Sequence, residues 1–153
     1  MAALILGCTA SSFALPADSA SHAPKHAAFD PQRDAAKDIA AAVEEAAKTG
    51  RRVLLDVGGN WCKWCRMLDN FFETNADVAN LLNRNFVVVK VNFSKENENK
   101  EVLSRYPKVQ GYPHFFVLGS DGTLIHSQNT GELEKGQGYD PVKMKAFLTK
   151  WAE

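Results

Sequence analysis

Cysteine is scarce in this chain. Three occur in 153 residues, with Cys8 near the start and Cys62 and Cys65 together further on. A domain stapled by disulfides would spread four or more along its length, so that class is excluded. Charge of one sign is lacking as well: Lys and Arg number 18, Asp and Glu 18, and the formal net charge is zero. A nucleic-acid binder shows a basic excess or stripe, and none is present. No run approaches the ~20 apolar residues of a membrane-crossing helix, so no integral membrane span is expected. Histidine is limited to His22, His26, His114 and His126, and the last three share no metal-finger spacing. A Cys-x2-Cys zinc site needs a second ligand pair at suitable spacing. No metal is therefore expected.

Apolar content is ample. At 45% hydrophobic residues the chain can bury a full core, and its length suits one compact domain. Residues 1–14 are apolar and then small, like the back half of an export signal, although no Lys or Arg precedes the apolar run. Ser12-Phe13-Ala14 offers small residues at the −3 and −1 positions of a cleavage site. Leu-Ile-Leu-Gly-Cys8 resembles a bacterial lipobox, which would make Cys8 a lipidation site, although Leu6 is large where that motif has a small residue. The leader points to export, to the periplasm or an equivalent compartment. Residues 15–29 are small, polar and proline-punctuated and read as a flexible linker, in which His22 and His26 are solvated. The folded domain is expected over residues 30–153.

Asp30-Pro31 reads as a helix start, a good N-cap followed by a residue suited to the first turn. Ile39, Val43 and Ala46–Ala47 then recur at helical spacing until Gly50. Val53–Val57 is a short apolar run, best read as a buried strand. The cysteine pair follows, then Met67, Leu68, Phe71 and Phe72 at helical intervals, and a further helix carrying Val78, Leu81 and Leu82. A strand is expected over 86–93 and a helix over 96–106. A hairpin joins 113–118 to 123–127 through Ser120-Asp121-Gly122. Residues 128–139 read as a loop, and Asp140-Pro141 opens a closing helix through Trp151. The order implies an α/β fold, a central mixed β-sheet flanked by helices on both faces.

A Cys-x-x-Cys directly after a strand and opening a helix has a definite chemical consequence. The first thiol sits where unpaired backbone N–H groups and the helix dipole favour negative charge. More of it is thiolate near neutral pH, and the thiolate is the nucleophile. Cys62 is therefore expected to attack a substrate disulfide and Cys65, one turn on, to resolve the mixed disulfide. Lys63 adds a positive charge beside Cys62, and Trp64 shields one side of the pair.

Trp61 before the pair, Asp56 in the preceding strand, Lys90 in the next one and Gly111-Tyr112-Pro113 before a later strand complete a pattern. Together they resemble the thioredoxin superfamily, over roughly Arg51 to Trp151. The Trp-Cys-x-Trp-Cys motif is more like an exported, disulfide isomerase-like group within it. The resemblance implies a thioredoxin fold and a catalytic set of Cys62, Cys65, Asp56 and Lys90. Asp56 would be the buried acid that takes the proton of Cys65, and Lys90 the lysine that pairs with it. Pro113 would be a cis-proline facing the cysteines, with the Tyr112 backbone bonding an extended substrate; Trp61, Lys63 and Trp64 would complete that surface. His114 is expected to be a partly exposed structural residue. Lys63-Trp64 replaces the middle pairs of thioredoxin and of disulfide isomerases, and Gly58-Gly59-Asn60 is expected to loosen the approach to Trp61.

The expected function is an exported thiol:disulfide oxidoreductase, reductase or isomerase, that needs no cofactor beyond its own dithiol. Its partners would be protein substrates with disulfides or thiols and a redox protein that recycles the pair. Two alternatives stand beside it. One is a thioredoxin-fold binding or chaperone module with little redox turnover. The other is a copper or zinc carrier, which would need a third ligand such as Met67.

Overall fold

A computed structural model describes residues 28–152. The leader, Cys8, His22, His26 and the linker up to residue 27 lie outside the described residues. In chain order the elements are α1 (Ala35–Thr49), β1 (Arg52–Gly58), α2 (Lys63–Thr74), α3 (Ala76–Asn85) and β2 (Phe86–Asn92). There follow α4 (Lys100–Leu103), β3 (His114–Leu118), β4 (Leu124–Asn129), a 3-10 helix (Thr130–Leu133), β5 (Glu134–Lys135), β6 (Gly138–Tyr139) and α5 (Pro141–Lys150).

The main sheet has the order β2-β1-β3-β4. β1 runs parallel to β2 and antiparallel to β3, so the sheet is mixed. Alternation along β1 sends Leu54 to one face and Val53, Leu55 and Val57 to the other. On the first face α2, α3 and α5 bury Leu68, Phe72, Leu82, Met144 and Leu148 against Leu54 and Phe115. On the second, Ala42 and Ala46 of α1 pack with Val91, Phe116 and Leu118. This is the thioredoxin fold.

Three local readings give way to the structure. Asp30-Pro31 does not start a helix: Gln32 N donates to Asp30 Oδ1 at 2.9 Å in a turn, and Asp34 is the N-cap of α1, accepting from Lys37 N. Asp then Pro suits the first two places of a turn as well as a helix start. The helix expected over 96–106 shrinks to α4, since Asn92, Asn97 and Asn99 bond one another's backbone. Such side chains offer the backbone an alternative to helix. The loop expected over 128–139 holds the 3-10 helix and the β5–β6 ribbon, strands too short to leave a period in sequence. A fourth difference concerns the linker. Phe29 is 2% exposed and belongs to the packed domain.

Candidate active site

The sheet register builds the floor of the site. Asp56 of β1 and Lys90 of β2 are register partners across the parallel pair. Lys90 Nζ donates to Asp56 Oδ2 at 2.7 Å and to the carboxylate of Asp69 on α2. The ammonium and the Asp56 carboxyl are both buried. Burial pulls the Lys90 pKa down, but the charges of Asp56 and Asp69 outweigh it and hold the pKa above the usual lysine value. Asp56 Oδ1 is also buried and, among the described residues, accepts no hydrogen bond.

Above that floor, β1 ends at Gly58 and a tight turn brings Cys62 N to Gly59 O at 3.0 Å. Cys62 is the N-cap of α2, with extended φ and ψ of −82° and 115°. Its Sγ accepts from Cys65 N at 3.1 Å. In the reduced pair that N–H and the helix dipole bear on the Cys62 sulfur, the arrangement that favours a thiolate. Cys62 and Cys65 are joined as a disulfide, their Cα atoms 5.2 Å apart, and both are buried. Gly58 makes the room: a Cβ there would stand 2.5 Å from Cys65 Sγ. Lys63 points into solvent. Trp64 is half-buried, packing beside the pair and edge-on to Tyr139 at 5.9 Å between centroids.

The approach to Trp61 is not loosened by the glycines. Without a side chain at Gly59 the indole folds back, and Trp61 Nε1 donates to Phe93 O at 2.7 Å. Tyr112 meets Trp61 edge-on at 5.7 Å and stacks on Phe93 at 4.9 Å. Trp61 is pinned and still 57% exposed, so it offers a fixed apolar face beside the disulfide. The Tyr112–Pro113 peptide bond is cis, and the buried Thr130 hydroxyl donates to Pro113 O at 2.6 Å. His114 is buried, not partly exposed, and pairs with Ser127 Oγ at 2.8 Å through Nε2.

Sequence reasoning missed three neighbours of the pair. Asp69 lies four residues after Cys65, one helical turn away on the same face, and that spacing was the available signal. Phe29 is the only Phe, Tyr or Trp in an otherwise largely small and polar stretch, residues 15–29. Tyr139 lies in the ribbon read as loop, and burial holds its hydroxyl pKa well above the usual value. Met67 packs against the core, and among the described residues no three His, Cys, Asp or Glu side chains are gathered as metal ligands.

A thioredoxin-like family model matches residues 34–120, more than half of the chain and the whole of the cysteine motif. The chain belongs to the thioredoxin-like family. Among relatives of this thioredoxin-like domain, the thiol:disulfide interchange protein DsbD of a Pseudomonas species is 30% identical over 135 residues. That match takes in 87% of this chain and 21% of the relative, so the chain spans about a fifth of the curated relatives it resembles first. A disulphide isomerase from Xylella fastidiosa superposes with a TM-score of 0.71 at 29% identity, over 82% of this chain and 96% of that one. The oxidised C-terminal domain of DsbD from Neisseria meningitidis, at 21% identity and TM-score 0.59, shares the fold over 82% and 99% of the two chains. With its disulfide-bonded pair at the head of α2, this thioredoxin-like domain carries the equipment of a thiol:disulfide oxidoreductase. Among the described residues no helix is long and apolar enough to cross a membrane.

Proposed function

We propose that this chain is an exported thiol:disulfide oxidoreductase that reduces or isomerises disulfides of protein substrates and is returned to its dithiol form by a redox partner protein. The observation that carries the reading is the Cys62–Cys65 disulfide at the N-terminus of α2, with Cys62 Sγ facing the Cys65 N–H. The relatives' names, thiol:disulfide interchange protein and disulphide isomerase, support the class of reaction. Export rests on the leader read from sequence.

In the first half-reaction the Cys62 thiolate attacks one sulfur of the substrate disulfide, a Cys62–substrate bond forms, and the other substrate sulfur leaves as a thiolate. In the second, Cys65 gives its proton to Asp56 Oδ1 and its sulfur attacks Cys62 Sγ. The Cys62–Cys65 bond closes and the second substrate sulfur leaves as a thiolate. Two electrons have passed from the protein pair to the substrate, and both substrate thiolates take up protons. The reaction needs no metal or added cofactor. Lys90 holds Asp56 in place, and the face made by Trp61, Tyr112 and Pro113 receives the substrate segment around the disulfide.

Removing the resolving sulfur tests the order of events. A Cys65→Ser variant should accumulate mixed disulfides through Cys62 with a disulfide-bearing protein, seen as dithiothreitol-sensitive adducts on a non-reducing gel. Absence of any adduct would favour a binding module without redox turnover.

A further inference from the structure

Phe29 takes no part in the steps above, yet its side chain meets both the disulfide and the charged floor. Its ring stands over Lys90 Nζ at 4.4 Å to the centroid. An ammonium has three N–H donors; Asp56 and Asp69 engage Lys90 on one side and the ring covers it on another. The same ring packs with the pair. Phe29 Cζ lies 3.0 Å, and Cys65 Sγ 2.5 Å, from the point where a side chain on Gly58 would begin. Gly58 therefore leaves a space that ring and sulfur share. Phe29 clusters with Cys62 and Cys65, flanked by Trp64 and Tyr112.

The segment is tied down on both sides. Asn60 Nδ2, from the turn just before the cysteines, donates to Phe29 O at 2.7 Å. Asn97 Nδ2, from the asparagine-rich loop before α4, donates to Pro31 O at 3.0 Å. A side chain kept only to fill space would not need its own backbone fastened to the active-site turn.

We propose that Phe29 is a positioning residue for resolution: its ring keeps water out of the space between Cys65 and the Asp56–Lys90 pair, so that the proton leaving Cys65 passes to Asp56 Oδ1. The inference rests on the dithiol exchange proposed above and adds to it what directs the proton. The titratable groups around that space are Asp56 from β1, Lys90 from β2, Asp69 and Cys65 from α2, Cys62 at its N-cap, Tyr112 before β3 and Tyr139 from β6.

The test uses the full chain with glutathione held as a mixed disulfide on Cys62, and follows release of glutathione as Cys65 closes the bond, across a range of pH. General-base help is worth about 10²–10⁴ in rate, so Phe29→Ala, which weakens it without removing the acid, should slow closure about tenfold near pH 6.5. The deficit should vanish toward about pH 9, where a free thiol ionises unaided. Phe29→Leu, which still excludes water, should stay within about threefold of the wild type throughout. Asn60→Ala, which frees the Phe29 carbonyl, should show the same pH-dependent pattern in smaller measure, and it carries the test if Phe29→Ala does not fold. A deficit equal at every pH, or none, overturns the proposal. Failure of the wild type to form or close the mixed disulfide would instead remove the dithiol reading beneath it.

Discussion

At the scale of single residues, Lys90 decides the character of the site. In sequence a lysine within a strand reads equally well as solvated, and Asp56 has a lesser competing reading as a strand-end cap. Only their register across β1 and β2 brings the two side chains together, because it sets them on one face of the sheet beneath α2. Register is a long-range property that no local window contains. The cysteines, by contrast, were legible at once, since strand, pair and helix are contiguous. Removing one member of a buried ion pair leaves uncompensated charge, at a cost of about 3–5 kcal/mol. Lys90→Met should therefore destabilise the oxidised protein by about that much in urea at neutral pH. Lys90→Met with Asp56→Asn should cost clearly less than the two single changes added together, because the partners share one interaction. The sign with pH is fixed as well. Lys90's pKa is raised by folding, so its contribution is full below the ordinary lysine value and is lost as pH climbs through the folded one.

At the scale of elements, the apolar runs behind β1, β2 and β3 and the helical spacing behind α1, α2, α3 and α5 carried the fold in plain sight. What escaped was set by polar side chains acting on backbone. Asp30 turns the chain where Asp34 caps it, and the asparagines at 92, 97 and 99 hold the chain before α4 out of helix, with Asn99 at φ 46°. The β3–β4 pair adds a titrating contact. His114 is buried against Phe116 and bonded to Ser127, and burial first, then the charge of His126, pushes its pKa below the usual histidine value. As pH falls, the unfolded chain takes up this proton first, so stability is full above about pH 6.5 and declines below it. The urea midpoint of the wild type should drop between about pH 7 and 5, and His114→Gln should drop less over the same range. Equal drops would show that His114 is not the titrating group.

At the scale of the whole molecule, the sheet brings together residues far apart in sequence: Phe29, Asp56, the Cys62–Cys65 pair, Lys90 and the cis Tyr112–Pro113. The resulting surface has a pinned, exposed Trp61 on one side of the disulfide and Trp64 with Tyr139 on another. Buried charge lies below and an apolar collar above, a division suited to moving a proton inward while a substrate sulfur is held outside. The same chain departs from better-known relatives at Lys63-Trp64, and one middle residue can shift a two-electron couple by tens of millivolts. The most direct measurement of the dithiol exchange is therefore an equilibrium titration of the purified protein against glutathione, with insulin reduction followed in parallel. Cys62 and Cys65 should titrate as one reversible two-electron couple, at roughly −270 to −180 mV, and the dithiol form should reduce insulin. A pair that does not exchange, or a couple near the roughly −120 mV of the strongest oxidants of this kind, would contradict it.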